Sequence, residues 1–227
     1  MKCKQRSLIL CAAFLTIAAD LSCADELDGV YCGGNFGRAR NAYGTGFIDS
    51  QLSSEATAAG DTLALTRQST DRLSDFWSGD AGYLFTPYVG LEASFLHVGE
   101  IRYIAIGSVT NSGTSESLAS TTEVTSHGPA ISLVLRLPLA EAFDASLRLG
   151  DYYGKTTFDN DLIVGSKRQF TEHSKSGSSL LARVGAAYTI AAHYAVHVDY
   201  LRIEQAGDIS TGKFSVNVLS AGVSYAF

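Results

Sequence analysis

His197 and Asp199 stand two residues apart, so in an extended chain they point to one side. An imidazole beside a carboxylate is the base half of an acyl-transfer or hydrolase triad, which also needs a serine hydroxyl within hydrogen-bond reach. Ser179 and Ser224 share the inward phase, but no spacing brings either to His197. His197 also sits among other charges, so no catalytic residue is assigned and the chain is not expected to be an enzyme. His97, His127, His173 and His193 show no metal-ligand spacing, and neither a metal nor a cofactor is expected. Gly33-Gly34-Asn35-Phe36-Gly37 has the glycines of a phosphate-binding loop but no following helix to complete one. Inside a strand, such glycines allow close packing of neighbouring backbones.

The charges that remain to be explained are Asp80, Glu92, Arg136, Arg148, Arg183 and Asp199, each on the polar phase of an alternating segment. Three carboxylates oppose three cations, and every cation is Arg, whose planar fork suits multidentate pairing in a confined space. All but Arg136 lie at similar distances from the nearest short turn. At ~3.3 Å per residue and a tilt of ~40° these five form one layer at mid-height of a ~25 Å band. Two readings are open: a gate whose pairs exchange partners, or a permanently satisfied polar plug.

Period-2 alternation recurs near 29–38, 74–85, 88–99, 125–137, 143–153, 177–189, 193–204 and 213–227, giving eight expected strands. In 125–137, His127, Pro129, Ile131, Leu133, Leu135 and Leu137 share one face, and Ser126, Gly128, Ala130, Ser132, Val134 and Arg136 the other. The gaps near 39–73, 100–124, 154–176 and 205–212 are mostly long, and those at 86–87, 138–142 and 190–192 are short. Strict alternation of long and short connections is the pattern of a barrel that crosses a membrane, turning tightly on one side. Aromatics near strand ends (Trp77, Phe85, Tyr88, Phe143, Tyr152, Tyr188, Tyr194, Tyr225, Phe227) fit the two interfacial girdles of such a barrel.

The 227 residues are 46% hydrophobic and 18% charged, below the ~25% charged share of soluble domains. A net charge of −6 argues against nucleic-acid binding. Lys2, Lys4 and Arg6, an apolar run over 8–19, and Ser22-Cys23-Ala24 have the layout of a secretory signal peptide. Cleavage after Ala24 removes three cations and one anion, taking the charge to −8, and leaves Cys32 as the one cysteine. Cys32 is expected to face lipid, and no disulfide scaffold is available.

The stretches Gly29–Gly37 (GVYCGGNFG), Gly82–Glu92 (GYLFTPYVGLE) and Leu133–Leu139 (LVLRLPL) resemble the OmpA-like outer-membrane β-barrel family. The resemblance spans residues 27–227. Within the family it points to stand-alone eight-stranded members, the small porin-like and opacity-type surface proteins. The ending Ser220–Phe227 is similar to the C-terminal signal read by barrel-assembly machinery, with Tyr225 and Phe227 as its key residues. No peptidoglycan-binding domain follows Phe227 in this sequence, so a tethering role does not carry over.

The expectation is therefore an all-β, eight-stranded, antiparallel up-and-down transmembrane β-barrel over residues 25–227, after a cleaved signal at 1–24. It is expected in the outer membrane of a Gram-negative bacterium, as a monomer among outer-membrane lipid and lipopolysaccharide. A structural or membrane-integrity role with a plugged lumen is the first reading. A narrow channel and a loop-borne adhesin are the alternatives. In the third long gap Lys155, Lys167, Arg168 and Lys175 could meet lipopolysaccharide phosphates, or form a solvated loop balanced by Asp159, Asp161 and Glu172.

Overall fold

The computed structural model describes residues 29–41, 53, 54, 57, 61–111, 113–206 and 214–227. The expected signal segment at 1–24 lies outside the described residues. Nine strands follow one another: β1 (Val30–Asn41), β2 (Thr62–Asp71), β3 (Leu73–Leu84), β4 (Val89–Asn111), β5 (Thr114–Ala140), β6 (Phe143–Val164), β7 (Lys167–Ala191), β8 (Tyr194–Ala206) and β9 (Phe214–Ala226).

Pairing is antiparallel throughout and closes in a ring, β1-β3-β4-β5-β6-β7-β8-β9 and back to β1. β2 is the upward continuation of β3. Both pair with β4, β3 over its lower half and β2 over residues 102–110. The β4–β5 register slips between Val98 and Ile101, level with the break at Arg72. The barrel thus has eight staves, one broken in two.

Short turns close the lower rim. Thr86 Oγ1 accepts from the amides of Tyr88 and Val89 at 3.2 and 3.1 Å, beside Pro87, which presets the turn. At the upper end Val164 faces Lys167 across Gly165-Ser166, where Gly165 has φ 58°, a value that favours glycine in a two-residue hairpin loop.

The long gaps are more ordered than their composition suggests. Residues 100–124 and 154–176 are largely paired strand, forming the upper halves of β4–β5 and β6–β7, and 62–71 within the first gap is β2. Their Ser, Thr and Asp content reads as loop, but Ile101, Tyr103, Ala105 and Val124 bury on one side while Arg102, Ile104 and Ile106 between them are exposed. A five-stranded wall, β2-β4-β5-β6-β7, therefore stands above the rest of the barrel. In the fourth gap, β8 extends to Ala206, and 207–212 lies outside the described residues.

Outside, the wall is apolar over the lower strands. Ile131, Leu133, Leu135, Leu137, Leu149, Leu180, Val198, Leu219 and Val223 are all exposed. A continuous apolar surface of this extent needs hydrocarbon around it. Phe85, Tyr88, Phe143, Tyr188, Tyr194 and Phe227 ring the short-turn rim, and Trp77 faces out near the other boundary. Tyr152 does not belong to a girdle: it is 1% exposed and points inward, sharing a 3.0 Å hydrogen bond with Ser126 Oγ. Its parity with Arg148 accounts for that.

Candidate functional site in the barrel lumen

Inward positions of small barrels must be filled, and here they are filled in two tiers. The lower tier is charged. Arg148 on β6 reaches Glu92 Oε2 with Nε at 3.1 Å and Asp199 Oδ1 with Nη1 at 3.1 Å, and Nη1 also donates to Ser146 Oγ at 3.1 Å. Arg183 on β7 sets Nη1 3.3 Å from Asp80 Oδ1 and 3.6 Å from Glu92 Oε1. Glu92 accepts two further bonds, from Tyr31 Oη at 2.8 Å and Ser94 Oγ at 3.4 Å.

Arg136 stands apart. It pairs with Asp144 at 2.5 Å near the short-turn end, where its side chain is partly exposed. The central layer therefore holds three carboxylates against two guanidiniums, not three against three. Neutral donors from Tyr31, Asn35 and Ser78 add to them. Burying carboxylates is tolerable only when most of their lone pairs are engaged in this way. Asp199 Oδ2 is left buried without a hydrogen bond among the described residues.

Asn35 orders the remaining group. Its Nδ2 donates to Asp80 Oδ2 at 2.6 Å, which turns its Oδ1 toward His197 Nε2 at 2.7 Å. An amide oxygen only accepts, so His197 carries its proton on Nε2. That nitrogen also lies 3.5 Å from Asp199 Oδ2. The His197–Asp199 pair is thus built into a lumen network, with Nε2 engaged by an amide and not by a serine.

The upper tier is mostly apolar, with Asn41, Ser74, Ser126, Tyr152 and Ser179 as its buried polar members. Phe76, Leu96, Val98, Leu181, Leu201, Ile203, Val216 and Val218 point inward above the charges, and Leu96 and Leu201 are both 0% exposed. Below the charged layer, by contrast, Tyr31, Gly33, Gly82, Ser146, Ala195 and Ser224 are only half-buried, and the Arg148 side chain keeps 14% exposure. The lumen is a shallow vestibule at the short-turn end and a packed core above it.

Asp80, Glu92, Arg148, Arg183 and Asp199 lie together. Tyr31, Asn35 and Asp144 complete the arrangement and escaped the sequence reading. Asp144 shares the parity of Arg148 and could have been found by it, whereas neutral Tyr31 and Asn35 carry no charge to mark them. Tyr225 and Phe227 lie at the lower rim, their rings edge to face with centroids 4.9 Å apart, and the Phe227 amide donates to Val30 O at 3.0 Å.

A closed eight-stranded ring with an apolar exterior and a filled lumen defines a transmembrane β-barrel. Residues 25–227 match the family model of the OmpA-like transmembrane domain. The chain belongs to that family, which places it among outer-membrane barrels. Outer membrane protein A of Serratia marcescens is 28% identical over 148 residues, which make up 64% of this chain and 37% of that protein. The chain thus matches little more than a third of that relative's length. Among solved structures, OprG of Pseudomonas aeruginosa aligns with a TM-score of 0.47 at 15% identity, covering 88% of this chain and 96% of that one. The neisserial surface protein NspA aligns with a TM-score of 0.45 at 15% identity, covering 88% and 97%.

Proposed function

We propose that this protein is a plugged outer-membrane barrel with a structural or membrane-integrity role, exported by a cleaved signal at 1–24 and inserted with the help of Tyr225 and Phe227. The carrying observation is the apolar tier of Phe76, Leu96, Leu181, Leu201, Val216 and Val218 above the charged layer. A hydrated ion would have to cross both tiers. The first is close-packed and mostly apolar, its few polar groups such as Asn41, Ser74, Ser126 and Tyr152 bonded to one another, and the second holds charges engaged with one another. His197, bonded to Asn35, acts as part of the plug and not as a base.

The test is single-channel conductance of the chain from residue 25 in a planar bilayer. The expected result is silence. Steady conductance of the unaltered chain would overturn the plug and make it a narrow ion or small-solute channel.

The standing wall of β2 and upper β4–β7 favours a second reading, an adhesive surface protein. Shortening the β4–β5 hairpin above Tyr103 and Thr122, which pair, would then abolish binding to host cells.

A further inference from the structure

We propose that Trp77, His97, His127 and Lys155 form a docking site for the phosphorylated headgroup of an outer-leaflet lipid on the outer face of β3–β6. The four are successive cross-strand partners: Trp77 faces His97, His97 faces His127, and His127 faces Lys155. They form a single row around the barrel. The rings are stacked, with centroids 5.4 Å apart from indole to His97 and 6.3 Å from His97 to His127. All four point away from the lumen, and Trp77 is 40% exposed.

The position matches the headgroup level. At about 2.5 Å of height per residue, Trp77 lies roughly 23 Å above the turn at Thr86 and Lys155 roughly 30 Å above its own, against an apolar band of ~25 Å. The row climbs out of hydrocarbon along its length. Immediately below are Phe95, Pro129 and Tyr153, and immediately above are Asp75, which is paired with Arg38, and Thr125 and Thr157.

Four exposed arginines sit on carboxylates, Arg38 on Asp75 at 2.8 Å, Arg102 on Glu100 and Glu123 at 2.8 Å, Arg168 on Asp161 at 2.5 Å, and Arg202 on Glu204, whereas Arg40, Arg67 and Arg72 enter no ion pair among the described residues. Lys155 enters none of the ion pairs among the described residues. Glu123 and Asp159 are four residues further up from His127 and Lys155, about 13 Å along the strand and beyond the ~8 Å Debye length. Asp151, four residues below Lys155, is held by Ser178 Oγ at 2.6 Å. An ammonium and two imidazoles in line, with an indole at the hydrocarbon edge, offer donors to phosphate and a platform to the sugar or acyl root. This proposal does not depend on whether the lumen is closed.

Trp77 is the chain's one tryptophan, so its fluorescence reads this site directly. The chain is refolded in phosphatidylcholine vesicles with and without lipid A, and with dephosphorylated lipid A or inorganic phosphate. A shift in Trp77 emission is expected with lipid A alone, lost in the His97→Gln/His127→Gln/Lys155→Gln variant and weakened in Lys155→Gln. Heat-modifiable gel migration checks that both variants are folded. An equal shift with dephosphorylated lipid A would mean acyl packing, and one with inorganic phosphate a free-anion site. Either result, or an unchanged response in the variants, overturns the proposal.

Discussion

Arg183 Nη1 lies 3.3 Å from Asp80 Oδ1, although the two residues are 103 positions apart in the chain. They belong to β7 and β3, which are diametrically opposite staves of the ring. The pair is a strut across the full width of the lumen. Arg148 on β6 bridges Glu92 on β4 and Asp199 on β8, each two staves away.

Replacing Arg183 by Ala leaves Asp80 without its guanidinium while Glu92 keeps Arg148. Breaking one side of a buried pair costs about 3–5 kcal/mol, and a fall of that order is expected in equilibrium urea unfolding from vesicles. Conductance should nevertheless stay at the level of the unaltered chain, because Leu96 and Leu201 still seal the lumen above. Leakage from the variant would show that the charged layer alone is the barrier.

Leu133 faces lipid on the lower half of β5. An arginine there, at mid-height of the hydrocarbon, should cost ~2–4 kcal/mol and lower assembly into membranes. Heat-modifiable migration after refolding measures the folded fraction. Normal assembly would mean that the inward and outward phases are exchanged.

Two glycines offer a controlled comparison. A Cβ on Gly222 would lie 2.3 Å from Gly34 O, 2.5 Å from Asn35 Oδ1 and 2.6 Å from His197 Nε2, whereas one on Gly79 would meet nothing within 4 Å. Gly222→Ala should therefore sharply reduce the folded fraction. Gly79→Ala should be neutral or stabilise by roughly 0.4–1 kcal/mol through the unfolded chain. Equal midpoints for the two in urea would refute the tight packing of β9 on β1.

Asp159 and Asp161, two residues apart on the upper part of β6, should titrate on opposite sides of the ordinary carboxyl value. The hydrogen bond from Arg168 holds Asp161 low. Partial desolvation, then the charges of Glu172 and Glu123, push Asp159 up. By linkage, what Asp161 adds to stability is present above an unfolded pKa of ~3.9 and lost as pH falls through its lower folded value. Asp159 acts in reverse: stability rises as pH falls through its raised value. Carboxyl-carbon NMR titration should show the two midpoints separated, Arg168→Ala raising one and Glu172→Gln lowering the other.

The membrane-facing half of the fold was legible because lipid demands a strict alternation. Ile131, Leu133, Leu135 and Leu137 leave little choice about which face is which. The charged layer was legible for the same reason, since Asp80, Glu92, Arg148, Arg183 and Asp199 interrupt the polar phase. The apolar tier was not. Where Leu96, Leu201 and Val218 bury inward beside outward apolar neighbours, the two phases differ little in hydropathy. Above the membrane the difficulty is inverted: Ser, Thr and Asp on water-facing strands look like loop, and only paired partners reveal a ladder. Asn35 and Tyr31 were invisible because a neutral side chain gains meaning only from what faces it.

The standing wall of β2, β4, β5, β6 and β7 has a bearing on survival at a cell surface. A protease must draw several residues of unpaired chain into its cleft. Over 101–111, 114–126 and 155–178 it meets paired strands that continue, past one register slip between Val98 and Ile101, into the membrane-embedded staves, so freeing a substrate-length segment means peeling strands from their anchors. Hairpins tipped by Gly113 and Gly165 leave only a few residues to grip. Among the described residues, the backbone that projects farthest above the membrane is thereby also among the hardest to digest.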